Sequence, residues 1–558
     1  MITKNELIDI ILKSNINIEK EDIIIEIPKE KTLGDYAVPC FGLAKKLHQN
    51  PNVIANNILE NIDKSRFENV EVKNGYINFF LNKRETTKEV IINITKEREN
   101  YANSTTGKNK NIVIEYSSPN IAKPFGVGHL RSTVIGNALK NIYKKLGYNV
   151  ICINYLGDCG TQFGKLIYAY ETWGNEEDVK RDPIRELNKL YIKFHEEAEK
   201  NPALNDEGRR IFKELEDGNP KYKEIWKWFK DESLAEFKKT YDLLNVSDFD
   251  VWSGESFYIE PAKEIIKELD NKKLLEISEG ATIVDLGENM PPALVKRTDG
   301  ATLYITRDLA AAFDRKNKYN FEEALYVVGN EQTLHFNQIK AVINKMGYDF
   351  SSEIHHIPFG LVLTGGKKMS TRGGSAVALH DVLVDSVNLA KKYVSMHLKE
   401  NVDIVSKQVG VGAVIFNDLK NYRTNDIDFN LNDILKFEGE TGPYLQYTVA
   451  RINSLLAHKL DIVINYNDIS VNDYEWNIIS KLAEFSECIL KAKNGYDPSI
   501  ISKYLLDLAG LFNKFYANVK IVDNNVNESA FRLLISEAVA IVLREGLRIL
   551  GIQSPDKM

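Results

Sequence analysis

The sequence predicts an α/β domain built on a parallel sheet and interrupted by an insertion, flanked by an α+β N-terminal domain and an all-α C-terminal domain. Three observations carry this. The buried-strand run Ile112-Val113-Ile114-Glu115-Tyr116 leads through a Pro-containing loop to a helical stretch from about Gly128 to Leu146 and a second strand from Asn149 to Asn154, a βαβ unit. Between about 165 and 290 the chain is charged, with apolar residues at helical spacing as at Leu187, Leu190, Tyr191 and Phe194; that length reads as an insertion, not a loop. After about Ala376 nearly everything reads helical, including Asp381 to Leu398 and the stretch from Asp473 onward.

At 558 residues the chain exceeds what one core accommodates, so three or more domains are expected. Residues up to about 82 mix helical periodicity (Leu7, Ile10, Ile11) with an alternating, strand-like run from Tyr76 to Leu81. A charged helical link follows, then a polar loop from Asn103 to Lys110. Sheet-like runs resume at Leu325-Tyr326-Val327-Val328 and from Ile357 to Leu363. The expected boundaries are 1–108, 109–377 with the insertion at about 165–290, a helical connecting region at 378–435, and 436–558.

A 43% hydrophobic share with 27% charged residues excludes disorder. The net charge of −7 argues against a basic coat protein but leaves RNA binding open, because a basic face can sit on an acidic protein. The four cysteines, Cys40, Cys152, Cys159 and Cys488, form no C-x-x-C pair, so neither a structural zinc nor a disulfide framework is expected. No apolar run reaches bilayer length, and the acids Glu6 and Asp9 are unlike a signal or transit peptide, so the expected address is the cytoplasm.

Two constellations carry chemistry. In Ser117-Ser118-Pro119-Asn120-Ile121-Ala122-Lys123-Pro124-Phe125-Gly126-Val127-Gly128-His129-Leu130-Arg131-Ser132, glycines beside a helix start let backbone N–H groups approach phosphates. His129 adds a donor and Lys123 a mobile charge; taken alone, the glycines serve equally to turn the chain. Gly365-Gly366-Lys367-Lys368-Met369-Ser370-Thr371-Arg372-Gly373-Gly374 sets three cations in a glycine-flanked loop, an anion clamp suited to nucleotidyl transfer or, blandly, a solvated basic loop.

Together they resemble a class I aminoacyl-tRNA synthetase, a family with a Rossmann-like catalytic domain. Gly126-Val127-Gly128-His129 is similar to its His-Ile-Gly-His motif and Lys368-Met369-Ser370-Thr371-Arg372 to its Lys-Met-Ser-Lys-Ser loop. Ser118 to Pro124, Gly128 to Ser132, Gly157-Asp158-Cys159-Gly160-Thr161-Gln162-Phe163-Gly164, Asp299 through Tyr304 to Asp308, and Gly442-Pro443-Tyr444-Leu445-Gln446-Tyr447 look like the arginyl-tRNA synthetases. Three departures stand out: Gly126 replaces the first motif's leading histidine, Thr371 the second motif's second lysine, and Cys159 a tryptophan usual in the subfamily.

The resemblance implies ATP-dependent activation of L-arginine and its transfer to tRNA(Arg), with Mg2+ accompanying ATP, no protein-bound metal, and a monomer as the default. It implies His129, Lys123 and Lys368 as catalytic, and Gly126, Gly128, His129, Gly157, Asp158, Lys368, Met369 and Ser370 around ATP. Glu115, Ser117, Asn120, Tyr304, Asp308 and Gln332 fall to arginine; Tyr76, Asn78, Phe80, Tyr444, Gln446, Tyr447 and Arg451 fall to tRNA. It further implies that arginine is activated only when tRNA is bound. The pocket is chemically sensible: a guanidinium offers five N–H donors and is held by carboxylates and neutral acceptors. Tyr304 and Asp308, four apart, share a face if a helix begins there. The alternatives are a class I synthetase for glutamate, glutamine or lysine, a tRNA-binding paralogue without catalysis, and a general nucleotidylyltransferase.

Overall fold

Ile112, Val113 and Ile114 are each at most 1% exposed, as an unbroken β-branched run requires of a strand covered on both faces. In the computed structural model, which describes residues 4–14, 16–28, 30–246, 249–296, 304–369, 377–459 and 462–558, they form the central strand of a five-stranded parallel sheet. The strands are β1 (Asn111–Glu115), β2 (Asn149–Leu156), β3 (Val251–Gly254), β4 (Glu323–Gly329) and β5 (Ile354–Phe359), in the order β5-β4-β1-β2-β3. Val113 lies opposite Ile151 on one side and Ala324 on the other. Strand order reverses between β1 and β4, so their carboxyl ends border the crevice where such sheets bind ligands.

The period of two along β1 divides its side chains between the faces. Helix α1 (Gly128–Lys145) packs against Tyr116: a Cβ on Gly136 would sit 2.2 Å from that ring, so only glycine allows this approach. Val113 joins the opposite core, with Ile153, Leu269, Leu309, Phe336 and Ile354. Burying each such side chain stabilises the fold by roughly 1.5–3 kcal/mol.

Between β2 and β3 runs a helical insertion, Thr161–Trp173 through α2 (Pro220–Leu244), with its own core of Phe163, Leu187, Phe194 and Phe229. On the far side of β3 come α3 (Tyr304–Tyr319) and, between β4 and β5, α4 (Thr333–Lys345). Three features differ from expectation. The edge strand β3 lies inside the stretch read as insertion. A small antiparallel sheet, Glu276–Ser278, Ala281–Val284 and Ala293–Lys296, also lies largely there. The run from Ile357 to Leu363 splits at Gly360 into β5 and Val362–Thr364, because the chain there lies so close to Asn425 that a Cβ on Gly360 would stand 2.7 Å from its carbonyl oxygen.

The chain gathers into two compact units. One comprises Met1–Tyr101, Ile452–Phe485 and Asp507–Leu543; the other comprises Ala102–Arg451, Ser486–Leu506 and Arg544–Met558 and holds the parallel sheet. The first is α+β at its N-terminal end: Tyr76–Leu81 is the central strand of an antiparallel sheet, flanked by Tyr36–Pro39 and Phe67–Lys73. Within that unit Trp476 donates to Asp35 Oδ1 at 3.0 Å, beside the helix Asp473–Ala483 with its Asn472/Glu475 capping box. Among the described residues from Leu379 onward the elements are helices, apart from the strand Ile427–Asp428, which pairs with Val362–Thr364. No helix among the described residues is long and apolar enough to cross a membrane.

Candidate active site

The first constellation becomes the loop leaving β1 and the first turn of α1. That turn carries no side-chain cap: Val127 occupies the N-cap position, and its side chain accepts no N–H. His129 and Leu130 N–H close the turn onto Gly126 O at 2.9 Å and Val127 O at 3.0 Å, and the dipole of the helix favours an anion at its mouth. Gly128 is exposed, with nothing within 4 Å of an added Cβ. The His129 ring stacks on Phe125 at 5.1 Å, its Nδ1 is buried, and burial pushes its pKa below the usual imidazole range.

The second constellation approaches the first through the backbone. Lys367–Lys368 pairs with Leu363 and Thr364, and Met369 N–H donates to Val362 O at 3.1 Å. Beyond residues 370–376 the chain re-enters by pairing Ala378 with Gly126. Ser370, Thr371 and Arg372, and the side chain of Lys368, lie outside the described residues.

A cavity of about 630 Å³ opens at the carboxyl ends of β1 and β4. Of the residues expected around substrates, Glu115, Ser117, Asn120, Gly128, His129, Gly157, Tyr304, Asp308, Gln332 and Met369 line it. Gly126 is not on that wall; its backbone pairs with Ala378 instead. Lys123 stands elsewhere, its ammonium 5.5 Å over the ring of Tyr191 in the insertion. Asp158 is also off the wall. Its carboxylate accepts from Ser256 N–H at 2.9 Å, Ser256 Oγ at 2.8 Å and Lys230 Nζ at 2.7 Å, and so ties α2 to the end of β3.

Helix α2 presents one stripe to the first loop. Trp226 donates to Asp158 O, Ser233 Oγ accepts from Ala122 N–H at 2.9 Å, Phe237 packs on Phe125, and the Tyr241 hydroxyl meets Ser117 Oγ at 2.7 Å. These contacts hold a strained loop: Ser117, Ser118 and Ala122 all have positive φ, of 71°, 45° and 58°. Asn120 bridges Gly157, which has no room for a side chain: a Cβ there would stand 2.0 Å from Asn120 Oδ1.

Charges in the cavity are arranged in pairs. Glu115 is bound by Arg315 at 2.6 Å, both at least nine-tenths buried, and the guanidinium sits 5.3 and 5.4 Å from the rings of Tyr155 and Tyr326. Burial raises the Glu115 pKa, with Arg315 opposing and Asp308 reinforcing. Asp308 Oδ2 lies 2.6 Å from His335 Nε2. Glu255, at the end of β3, lies 3.2 Å from Arg307 and is lifted to about 7 by burial. Tyr304 is 53% exposed on the same side of α3 as Asp308. Cys159 is buried and its thiol pushed up to about 12 by desolvation. Arg315, His335 and Glu255 were not anticipated from sequence, since each is defined by a partner remote in the chain.

Several residues expected at RNA serve the fold in this structure. Asn78 is only 3% exposed in its central strand, while Tyr76 packs edge-on against Phe41 and, like Phe80, is partly exposed. Gln446 is fully buried and donates to Gln408 O and Gln553 O at 2.9 and 2.7 Å. Tyr444 is partly buried; Tyr447 is 37% exposed with Arg451 4.8 Å over its ring.

Three family models match the chain: the arginyl tRNA synthetase N terminal domain over residues 2–81, the catalytic domain of tRNA synthetases class I (R) over 90–431, and the DALR anticodon binding domain over 445–558. The chain is 51% identical to the arginine–tRNA ligase of Pediococcus pentosaceus, covering 96% of this chain and 95% of that protein. It belongs to the arginyl-tRNA synthetase family. The arginine–tRNA ligase of Enterococcus faecalis is 49% identical over 98% of both chains. Among solved structures, Thermus thermophilus arginyl-tRNA synthetase superposes with a TM-score of 0.83 over 100% of both chains at 23% identity, a likeness of fold. The Plasmodium falciparum arginyl-tRNA synthetase superposes with a TM-score of 0.80 over 99% of both at 25% identity.

Proposed function

We propose that this chain is an arginine–tRNA ligase that activates L-arginine with ATP and transfers it to the 3′ end of tRNA(Arg). The observation that carries the reading is one cavity with an uncapped helix N-terminus in its wall and the Tyr304/Asp308 pair on α3 in the same wall. The first feature suits phosphate and the second a guanidinium.

In the first step the arginine carboxylate attacks the α-phosphate of ATP, and pyrophosphate leaves. Gly128, Gly157, Met369 and Ser370 cradle the nucleotide, while His129 and Lys368 stabilise charge on the phosphate as it builds. The place of His129 in the cavity wall supports that role. Lys123 supplies a mobile cation, since an exposed contact of an ammonium with an aromatic face is worth only about 0.5–1 kcal/mol and yields to a phosphate. Asp158 and Gly126 act as struts beside the nucleotide. Magnesium accompanying ATP would neutralise phosphate charge.

Asp308 and Tyr304 hold the guanidinium, with Asn120, Gln332 and Ser117 orienting the backbone of the amino acid. Glu115 contributes through its pair with Arg315. The terminal ribose hydroxyl of tRNA then attacks the mixed anhydride, and AMP departs. Tyr444, Tyr447 and Arg451 contribute stacking surface for anticodon bases, Gln446 positions their helix, and Tyr76, Asn78 and Phe80 mark the strand of a domain for the tRNA elbow. The work is that of a cytoplasmic monomer serving translation, with domains at 1–108, 109–377, 378–435 and 436–558.

The test is aminoacylation of a tRNA(Arg) transcript with labelled arginine. ATP-dependent, acid-precipitable charging is the expected result. Charging by another amino acid in preference to arginine overturns the reading.

A further inference from the structure

Asp308 does not stand alone in the cavity wall. Its Oδ2 lies 2.6 Å from Nε2 of His335, which α4 brings in from 27 residues away, and both residues line the cavity. The pair is not a core ion pair: the side chains are 29% and 21% exposed. Nor is it a helix cap, since His335 lies inside α4 and Asp308 inside α3.

An ionised carboxylate only accepts, so the imidazole donates through Nε2. A carboxylate with one oxygen tied to a fixed donor loses free rotation about its terminal torsion. Its plane is then set in advance, and its remaining lone pairs keep a constant direction. Planar, two-point recognition of a guanidinium depends on that direction. A group held to within a few tenths of an ångström by a supporting hydrogen bond binds with less loss of freedom on docking.

We propose that His335 is a specificity-positioning residue: it fixes the plane of the Asp308 carboxylate against which the guanidinium of arginine docks. The proposal rests on the reading of Asp308 as the guanidinium's carboxylate. His335 touches neither ATP nor the reacting carboxylate in this role. It acts through Asp308, on arginine affinity.

The test measures ATP–pyrophosphate exchange in the full chain with tRNA present, for wild type, H335L, H335Q, D308N and the double variant D308N/H335L. A hydrogen bond to a charged group sets the scale, so H335L is expected to raise KM for arginine about tenfold while kcat and KM for ATP stay within about twofold. H335Q, whose amide N–H reaches a similar place, is expected to restore most of the loss. The double variant is expected to be no worse than D308N, because a residue acting through Asp308 has nothing left to act on. If H335L fails to fold, H335N serves, its amide being too short to reach. Raised KM for arginine in D308N with none in H335L or H335N overturns the role of His335 and leaves that of Asp308. An unchanged KM in D308N overturns both. Additive losses in the double variant, or equal losses in arginine and ATP affinity, mean that His335 merely supports the fold.

Discussion

Gly126 and Ala378 are paired backbone to backbone in an isolated antiparallel bridge. Val127 N–H donates to Val377 O at 3.0 Å and Leu379 N–H to Phe125 O at 2.9 Å on either side of it. The chain emerging from the second motif is thus hydrogen-bonded to the loop of the first. The two phosphate-directed elements are coupled by main chain through Phe125 and Val127, the residues flanking Gly126.

Val127→Pro tests the coupling selectively. Its φ of −55° suits proline, and the N-cap position asks no helical bond of its N–H, so α1 survives while the donor to Val377 is lost. The expected outcome is a loss of about 0.5–1.5 kcal/mol in stability by chemical denaturation. Adenylate formation is expected to fall much more than that small loss would suggest, as a lower kcat in pyrophosphate exchange.

His129→Ala removes a largely buried ring stacked on Phe125, so a moderate loss of thermal stability is expected. The kcat of activation is expected to fall by roughly 10²- to 10³-fold, the cost of losing one transition-state donor, with KM for arginine nearly unchanged. Single-turnover adenylate formation separates the two quantities.

Arg131 is 1% exposed; its Nε donates to Asp418 at 3.2 Å and its Nη1 to Asn425 O at 2.7 Å. It pins α1 to helix α5 (Val402–Leu419) and to the segment entering Ile427–Asp428. Arg131→Met leaves Asp418 buried and uncompensated and is expected to destabilise by roughly 3–5 kcal/mol. Arg131→Met with Asp418→Leu is expected to recover much of that, as read from denaturation midpoints.

Glu255 gives stability a pH dependence. Its folded pKa of about 7, raised by burial, lies above the ordinary value of 4.5. Between those values the folded chain holds a proton that the unfolded chain has released, so stability falls as pH rises through the window. Above pH 7 the cost is fully present, on the order of 3 kcal/mol. Glu255→Gln is expected to melt higher than wild type at pH 8, with the gap closing by pH 4. Equal gaps at both pH values contradict this account.

The sequence was most legible where local pattern and tertiary role coincide. β1, α1 and β2 follow from an unbroken β-branched run, a helical stripe and a second run, and the structure places their ends within two residues of expectation. β3 escaped notice because Val251–Gly254 is a four-residue edge strand, too short to interrupt the helical pattern around it. The break at Gly360 was hidden because both halves of the run are strands, in different sheets. Of the site, the motif loops were visible as sequence, whereas Arg315 opposite Glu115 and His335 opposite Asp308 are pairings between elements. Lys123 and Asp158 show the converse, since motif position predicted a role at the cavity and packing set both aside from its wall.

The most direct test of the central claim is ATP–pyrophosphate exchange with each amino acid in turn, with and without tRNA(Arg). Exchange is expected with arginine alone among the amino acids, and only when tRNA is present. Exchange driven by glutamate, glutamine or lysine, or none with any amino acid in protein that still binds tRNA, would contradict it.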